Sequence, residues 1–466
     1  MGSTLENIFG YIEEYNMINP TDKIVVGLSG GADSVCLITA LCEYQKRFYG
    51  GVGNLFAVHV HHMIRGSEAD EDEQFAAELC KKLGVSYISF KKDIKQYAKE
   101  QNMSLEEAGR TFRYECFENV CREKKCNKIA VAHNKNDLAE TVLFNVIRGS
   151  GLKGMSGILP VRGKIIRPLL DTKRNEIEAI LAELHQDYRT DSTNSSLDYD
   201  RNKIRHVILP CLEEINSEAV SHICQTAKEA ENSYRYIHEE ALAGYEGICE
   251  DDAGEKQVTL DINTIFKLNP VLQEHMVHEA IGDVAGAKKD ISRKNVMSVT
   301  NLIYQDTGKT VDLPYGIRAR RSYDKLIISN KHYENKEYNM IVEGEGEYPI
   351  PDRGKLRIKF IKNSDNLVIS KNMYTKMADY GKITDTLCVR TPQEGDYITI
   401  DSKGNTKKLS RVFIDNKIDR EDRKTWPVVA SGNHVIWVVG LRYSEAFKIE
   451  GDTDKIICME YIREDG

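Results

Sequence analysis

The sequence lacks the features of a secreted protein, of a membrane-spanning protein and of a protein with a structural zinc site. Its eleven cysteines include no CxxC pair, which argues against a zinc site or a disulfide framework and favours reduced, mostly buried thiols. No apolar run approaches the ~20 residues that a membrane span needs. The stretch MGSTLENIFGYIEEYNMI has neither the basic start nor the apolar core of a signal peptide. We therefore expect a cytoplasmic protein that does not contact a membrane.

An excess of positive charge is also lacking. The chain has 64 Lys and Arg against 72 Asp and Glu, and its formal net charge is −8, which argues against nucleic-acid binding over the whole surface. Residues 403–424, called the basic segment below, carry a local charge of +4 from eight basic and four acidic residues. The basic ones are Lys403, Lys407, Lys408, Arg411, Lys417, Arg420, Arg423 and Lys424. Charge alone fits a phosphate-binding surface and a solvated loop and helix face equally well.

Short apolar runs alternate with amphipathic helical patterns over residues 20–215. The predicted strands are KIVVGLS, LFAVHVHH, SYISFKK and KIAVAH, and one predicted helix, DEDEQFAAELCKKLG, ends at Gly84. This alternation predicts βαβ units and a doubly wound parallel sheet, hence an α/β fold. A chain of 466 residues exceeds one core. We expect four parts: the α/β domain at 1–215, a mainly helical middle domain at 216–335, a β-rich linker at 336–384 and a small α+β C-terminal domain at 385–466.

The segment VVGLSGGADS predicts a phosphate-binding loop between a strand and a helix. Its glycines allow close approach of the backbone to a ligand, and free N–H groups at a helix start favour an anion. The loop residues are Ser29, Gly30, Gly31, Ala32, Asp33 and Ser34. A carboxylate beside phosphate is favourable if Mg²⁺ lies between them, so Asp33 is a candidate metal ligand. The structural alternative is a glycine-rich turn with Asp33 as the helix N-cap.

Two further segments carry candidate charged groups. In SLEEAGRTFRYECF, Ser104 and Glu107 have capping-box spacing. Arg113 could stabilise charge on a phosphate or lie in a surface ion pair, and the sequence favours neither alternative. Arg110 is better explained by a surface pair with Glu106.

In IAVAHNKNDLAETVLFNVIRGSGLKGMSGI, the residues His133, Asp137 and Glu140 are four and three apart and would share one helix face. They could bind Mg²⁺ or accept a proton from an amine. The alternative is an acidic helix start that complements the helix dipole.

The segment DSTNSSLDYDRNKIRHVILP predicts a polar loop followed by a basic helix. Asn202 and Arg205 are one helical step apart, as are Arg201 and Arg205, and Pro210 is expected to limit the helix.

At SGGADS the chain resembles the PP-loop ATP pyrophosphatases, which cleave ATP between its α and β phosphates and have an adenine nucleotide α-hydrolase-like fold. Within that class, AVHVHHMIRG, EEAGRTFRY, AHNKNDLAET, RGSGLKGMSG, IIRPLL and DSTNSSLDYDRNKIR are similar to the tRNA(Ile)-lysidine synthetases. The C-terminal GDYITIDSKGNTKKLSRVFIDNKIDREDRKTWPVV and WVVGLRYSEAFKI are similar to that family too. The family usually has Asp-Asp where this chain has Asn136 and Asp137.

The resemblance implies an ATP- and Mg²⁺-dependent ligase that joins L-lysine to the wobble cytidine of the CAU anticodon of tRNA(Ile). Its implied catalytic residues are Asp33, Arg113, Asp137, Glu140 and His133, with His133 shaping the nucleotide pocket. Asn202 and Arg205 would contact substrate, while Lys407, Lys408 and Arg411 would bind the tRNA backbone. No protein partner other than a second copy of the chain is implied.

Three alternatives stay open. A 2-thiocytidine synthetase would use paired cysteines and an iron–sulfur cluster, whereas Cys116, Cys121 and Cys126 are five residues apart. An amidating PP-loop enzyme would need a source of ammonia, which the C-terminal motifs do not suggest. An RNA-binding protein that senses a nucleotide without catalysis would not need Asp33 and the acidic cluster.

Overall fold

The computed structural model describes residues 3–63, 67–189, 200–251, 257–287, 290–330, 337–351, 353–362 and 374–463. Residues 64–66 of the motif AVHVHHMIRG and residues 190–199 of DSTNSSLDYD lie outside the described residues. The chain divides into two compact units, Met1–Tyr236 and Ile237–Gly466. The domain boundaries expected at 215, 335 and 384 stay predictions.

The first unit contains a six-stranded sheet in the order β3-β2-β1-β4-β6-β5. Its strands are β1 Ile24–Gly27, β2 Leu55–His61, β3 Ser86–Lys91, β4 Lys128–Ala130, β5 Val161–Arg162 and β6 Ile165–Ile166. All neighbours are parallel except β5 and β6. The chain builds β1, β2 and β3 outward on one side and then crosses to β4 on the other. The strand order therefore reverses between β1 and β4, which is where α/β sheets bind ligands.

Helices cover both faces of this sheet, so the α/β, doubly wound expectation is confirmed. They are α1 Ser3–Glu14, α2 Ala32–Tyr49, α3 Ser67–Leu83, α4 Ile94–Gln101, α5 Leu105–Lys124, α6 Lys135–Ile147, α7 Leu152–Met155, α8 Arg174–Glu183, α9 Asp200–Lys203 and α10 Leu209–Ile215. Alternate residues of β1 enter different cores: Ile24 and Val26 pack with α1, α2 and α8, whereas Val25 packs with α5. Each of these β1 side chains is thus buried in the hydrophobic core on one face of the sheet or the other.

Local sequence signals set several helix ends. Gly84 follows α3 with a left-handed φ of 74°, as expected for a terminating glycine. Ser104 caps α5 because its Oγ accepts the Glu107 N–H at 3.2 Å.

Pro210 does not end the helix in which it lies, contrary to expectation. Residues 200–215 run from α9 through a π-helical turn, Ile204–Ile208, directly into α10. The Leu209 N–H donates to the Ile204 carbonyl, five residues back. Pro210 lies in the first turn of α10, and the preceding wide turn relieves the clash that its ring would cause in a regular α-helix.

The helix α11, Ala219–Ile248, contains the boundary between the two units. The middle region after it has strands β7 Cys249–Asp251 and β8 Gln257–Asp261, then helices α12 Ile262–Ile265, α13 Pro270–Ala285 and α14 Arg293–Thr300. It continues with β9 Thr310–Asp312, β10 Arg318–Ser322 and β11 Lys325–Ser329. The helices pack with the inner side of an antiparallel sheet, β7-β8-β11-β10-β9, around residues such as Val277 and Leu326. The middle region thus combines helices with a five-stranded sheet in the described residues.

Two antiparallel-rich sheets form the rest of the second unit, in the orders β12-β16-β19-β20-β17-β18 (β21 pairs with β20) and β13-β14-β22-β15. Their strands are β12 Asn339–Ile341, β13 Gly346–Ile350, β14 Gly354–Lys362, β15 Thr375–Asp379, β16 Leu387–Arg390, β17 Tyr397–Thr399, β18 Thr406–Lys408, β19 Val428–Ser431, β20 His434–Val438, β21 Arg442–Tyr443 and β22 Lys455–Ile462. Helices α15 Leu409–Asp415 and α16 Arg420–Thr425 lie between β18 and β19.

Residues 336–384, expected as a β-rich linker, supply strands to both sheets. The strand β12 pairs with β16, and β14 pairs with β22 from Lys355↔Ile462 to Lys362↔Lys455. Such non-local pairing has no signature in a single sequence, because a strand shows which of its faces is apolar but not which strand it joins.

The state of the cysteines and the character of the helices bear on disulfide bonds and membrane spans. Every cysteine whose side chain is described is a free thiol, and only Cys211 among them is exposed. None of the helices in the described ranges combines the length and apolar character needed to cross a bilayer.

Candidate functional site

A cavity of about 480 Å³ lies at the carboxyl ends of β1, β2 and β4, at the point where the strand order reverses. This volume is in the usual range for a small-molecule site. The loop from β1 to α2, the end of β2, one face of α5 and the loop from β4 to α6 all contribute lining residues. Ser29, Asp33, Arg113, His133 and Asp137, which the sequence places up to about a hundred residues apart, therefore meet in one cavity.

The phosphate loop joins β1 to α2 without a side-chain cap on the helix. Gly31 is the N-cap of α2 and makes no side-chain capping bond, while Gly30 has a φ of 93° that favours glycine. The Ser29 and Ser34 hydroxyls lie 3.1 Å apart, and the Ser34 hydroxyl donates to the Gly31 carbonyl at 3.0 Å. Because Asp33 follows the cap and does not supply it, the alternative of Asp33 as N-cap is wrong. The open helix start suits an anionic ligand.

Asp33 is held by two donors from outside its own loop. Its Oδ1 accepts from Asn134 Nδ2 at 3.0 Å, and its Oδ2 accepts from Arg174 Nη1 at 2.6 Å. Burial raises the pKa of Asp33, and the nearby negative charge of Asp137 adds to this, while Arg174 and Asn134 act in the opposite direction. A charge that is partly desolvated beside another carboxylate is well placed to attract a cation.

Arg113 lines the cavity without a hydrogen-bonding or ion-pair partner among the described residues. Surrounding protein desolvates its guanidinium and lowers the pKa, as does the neighbouring charge of Arg110, although part of the side chain stays exposed. Arg110 also lines the cavity, with its Cζ 5.2 Å from the centroid of the Tyr114 ring. The surface pair expected between Arg110 and Glu106 is not among the described ion pairs. Two cations face one cavity, and neither is neutralised by an acid in the described chain.

His133 lies before α6, so it does not share a helix face with Asp137 and Glu140 as the spacing predicted. Asn134 is the N-cap, and its side chain forms a capping box with Asp137. His133 Nδ1 accepts from Arg167 Nε at 3.1 Å, which leaves Nε2 as the N–H of the neutral ring. Burial lowers the pKa of His133 to about 4, and Arg167 adds to this effect, so the imidazole is neutral at pH 7.

Two arginines from the helix at 200–208 bind both acidic residues of α6. Arg201 Nε donates to Glu140 Oε2 at 3.1 Å, and Arg205 Nη2 donates to Asp137 Oδ1 at 2.8 Å. Glu140 has no exposed side-chain area and does not line the cavity, whereas Asp137 and Arg205 do. The predicted pair Asp137 and Glu140 thus has one member facing the cavity and one member behind it.

The remaining predicted residues lie outside this cavity. Asn202 is half-buried in α9 and is not among the lining residues. In the second unit, Lys407 forms an ion pair with Asp415, while Lys408 and Arg411 are exposed.

Sequence reasoning missed three arginines that line or support the cavity, namely Arg167, Arg174 and Arg189. Arg189 pairs with Glu71 and Asp72 of α3, and its N–H donates to the Gly30 carbonyl at 2.9 Å. Arg167 also donates to the Leu159 carbonyl at 2.6 Å. Arg167 falls within the motif IIRPLL, which gave a weak signal, whereas Arg174 and Arg189 stand in ordinary polar surroundings.

The described residues contain one close group of possible metal ligands, formed by His61, Asp70 and Glu73. It does not suit a metal, because His61 Nδ1 accepts the Met63 N–H at 3.2 Å and Nε2 must then carry the ring proton towards Asp70. Glu73 is paired with Lys91 at 2.6 Å. Asp33 fits Mg²⁺ better, since this ion commonly takes one or two carboxylates plus phosphate oxygens. No group of cysteines that could hold an iron–sulfur cluster occurs among the described residues.

Comparison with known proteins agrees with the fold. A family model described as the PP-loop domain matches residues 5–212, so the chain contains a PP-loop ATP-binding domain. A second model, described as the TilS substrate C-terminal domain, matches residues 387–459.

The tRNA(Ile)-lysidine synthase of Caldanaerobacter subterraneus subsp. tengcongensis is 37% identical over 462 residues, which cover 99% of this chain and 98% of that protein. That of Clostridium acetobutylicum is 33% identical, covering 99% of this chain and 100% of that protein. A crystal structure of the TilS C-terminal domain is 26% identical, with a TM-score of 0.25, and covers 28% of this chain and 100% of that chain. The chain belongs to the tRNA(Ile)-lysidine synthase family. The expectation of an enzyme of this family is therefore confirmed.

Proposed function

We propose that the chain joins L-lysine to C2 of the wobble cytidine in the CAU anticodon of tRNA(Ile) in two steps. In the first step the C2 oxygen attacks the α-phosphate of ATP, which gives an adenylated cytidine and pyrophosphate. In the second step the lysine ε-amine attacks C2 and AMP leaves. The names of the relatives support the substrate, and the described cavity supports the order of events.

The observation that carries this proposal is that an open helix start, an unpaired arginine and two carboxylates share one cavity. The start of α2 has no side-chain cap, and Ser29 and Ser34 line the cavity beside it, so this end of the cavity suits the β and γ phosphates. Arg113 has no acidic partner among the described residues, so its charge is available to the α-phosphate and to the leaving pyrophosphate. The loop therefore holds the leaving group and exposes the α-phosphate to attack.

Mg²⁺ would be held by Asp33, with Asp137 nearby and phosphate oxygens as further ligands. It would neutralise phosphate charge during the transfer. The neutral His133 presents its Nε2–H towards the nucleotide and adds a donor without adding charge.

The second step needs an uncharged ε-amine next to C2. Asp137 lines the cavity and is the acceptor for a proton of the amine. Glu140 is buried and does not line the cavity, so it acts through Arg201 and Arg205 as a positioning residue and not as a base. Arg205 reaches the cavity while bonded to both acids, which places it against the adenylate or the cytidine. Asn202 lies one turn away as a further substrate contact.

The basic segment would bind the tRNA backbone. Lys408 and Arg411 are exposed and have no ion-pair partner among the described residues, whereas Lys407 is partly neutralised by Asp415. Phosphate contacts of this kind set affinity and position and leave the reading of the anticodon to the catalytic domain.

The direct test is incubation of the chain with ATP, labelled lysine and a tRNA(Ile) transcript that carries the CAU anticodon. We expect label in the RNA with one AMP and one pyrophosphate formed per lysine. A matched transcript in which uridine replaces the wobble cytidine is the control. Absence of label from the CAU transcript, or equal label in both transcripts, would contradict the proposal.

A further inference from the structure

Arg174 is a charged group of the cavity to which no role has yet been assigned. It is the first residue of α8, and its backbone N–H donates to Asn136 Oδ1 at 3.1 Å. Its Nη1 donates to Asp33 Oδ2 at 2.6 Å, and its Nε donates to Glu178 Oε1 at 2.9 Å. Asn136 therefore holds the backbone N–H of Arg174, and Glu178 holds its Nε. Its terminal Nη1 binds the oxygen of Asp33 that would coordinate the metal.

The bond to Asp33 is suited to exchange. Both side chains are partly open to the cavity, with 41% of Arg174 and 29% of Asp33 exposed, and ion pairs in such settings contribute little to stability. When Arg174 leaves, Asn134 still holds Oδ1 of Asp33, and Glu178 still holds the Nε of Arg174. Neither partner becomes a buried, unpaired charge.

We propose that Arg174 is an exchangeable counter-ion: it neutralises Asp33 while ATP is absent and moves to the polyphosphate when the nucleotide enters. This inference rests on the proposed function. A guanidinium binds phosphate oxygens in a forked geometry, whereas Mg²⁺ prefers a carboxylate oxygen together with phosphate. Exchange therefore gives each cation its better partner and frees Oδ2 of Asp33 for the metal. Asn136 fixes the base of the side chain near both partners.

Arg174 and Mg²⁺ then compete for Oδ2 of Asp33. Loss of Arg174 should therefore lower the affinity for ATP and also lower the Mg²⁺ concentration that ATP binding requires. Loss of Arg174 removes a phosphate contact, so ATP should bind more weakly at saturating Mg²⁺. The same loss removes the competitor of Mg²⁺, so less Mg²⁺ should be needed to support the binding that remains.

The experiment is calorimetric titration of the full chain with ATP at a series of Mg²⁺ concentrations, without tRNA or lysine. For Arg174→Ala we expect the Kd for ATP at saturating Mg²⁺ to rise about tenfold or more, and the Mg²⁺ concentration at half-maximal binding to fall severalfold. Arg174→Lys should lie between this variant and the wild type. Arg122→Ala, which removes an exposed arginine of α5 that does not line the cavity, is the matched control and should change either quantity by less than about twofold.

Two results would overturn the inference. A lower melting temperature of Arg174→Ala with unchanged ATP and Mg²⁺ dependence would show that Arg174 only ties α8 to the phosphate loop. Weaker ATP binding with an unchanged or higher Mg²⁺ requirement would show a phosphate contact without exchange. Failure of the wild-type chain to bind ATP would contradict the proposed function as well, and is therefore distinguishable from both.

Discussion

Arg205 forms a bidentate ion pair with Glu140, in which Nε lies 2.5 Å from Oε1 and Nη2 lies 2.9 Å from Oε2. Glu140 has no exposed side-chain area, so the pair is a buried carboxylate matched to one fork of a guanidinium. The same Nη2 also contacts Asp137, which faces the cavity. The buried acid thereby fixes the orientation of a guanidinium that lines the cavity.

Removal of Glu140 should affect both folding and the amine step. Glu140→Ala leaves Arg201 and Arg205 without their main partner, and we expect a loss of roughly 2–4 kcal/mol in the free energy of unfolding. Asp137→Ala, at a partly exposed position, should cost less. Both variants should lower lysine incorporation more than pyrophosphate release, which is measured in the absence of lysine. Full lysine incorporation by both would mean that the amine site lies elsewhere.

Asp33→Asn should abolish activity without unfolding the chain. The shape of the side chain stays, but one carboxylate oxygen becomes an amide NH2 group and the charge that would attract Mg²⁺ is lost, so we expect activity to fall at least about 100-fold. Stability should change by no more than about 1 kcal/mol, because the pair with Arg174 is partly exposed. Steady-state assay and urea unfolding measure the two effects. Asp187→Asn, an exposed position in the same unit, is the control, and near-normal turnover of Asp33→Asn would exclude the metal role.

Arg113→Ala should impair the first step selectively. We expect pyrophosphate release to fall about 100-fold or more. The free energy of unfolding should change little, since Arg113 is exposed and has no acidic partner among the described residues. Arg113→Lys should recover part of the rate. Arg110→Ala is the comparison: a drop for Arg110→Ala as large as that for Arg113→Ala would show that the cavity needs positive charge in general and not Arg113 in particular.

His133 should make stability depend on pH on the acid side of neutrality. Its pKa is about 4 in the folded chain, below the ordinary 6.5, so the unfolded chain takes up the proton first as the pH falls. The free energy of unfolding should therefore decrease from pH 7 to pH 5, with at most about 2 kcal/mol due to this group. Urea unfolding of His133→Asn at both pH values should show a smaller decrease, whereas the exposed His185→Asn should match the wild type. Equal slopes for His133→Asn and wild type would contradict the assignment.

The basic segment should control the salt dependence of tRNA binding. For Lys408→Glu combined with Arg411→Glu, the slope of log affinity against log salt should flatten by about one unit for each lost phosphate contact. ATP binding should not change. Lys407→Glu should have a smaller effect because Asp415 already pairs with Lys407, and Lys95→Glu on α4 serves as an unrelated exposed control. An unchanged slope and affinity for the double variant would make this segment a structural face.

The local elements could be predicted from the sequence because each has its own signal. The run of apolar residues before SGGADS gives β1, the glycines give the turn, and Ser104 gives the start of α5. The part of the candidate site that follows the strand ends was also predictable, since the carboxyl ends of parallel strands meet at one edge of the sheet. The arginines that hold its acids were not: Arg174 reaches Asp33 across 141 residues of sequence, and no local pattern distinguishes it from a solvated helix residue. Burial of Glu140 depends likewise on a helix more than sixty residues away.

The π-helical turn Ile204–Ile208 makes the chain sensitive to its length as well as to its composition. It closes a hydrogen bond over five residues, from the Leu209 N–H to the Ile204 carbonyl, so it holds one residue more than a regular turn. Arg205 lies within it, and the buried Leu209 anchors the helix just after it. Removal of one residue here, even the largely exposed Val207, would turn the two sides of the helix relative to each other by about 100°. Deletion of one residue here would therefore change the contacts of Arg205 with Asp137 and Glu140. A substitution of Val207 would leave those contacts in place.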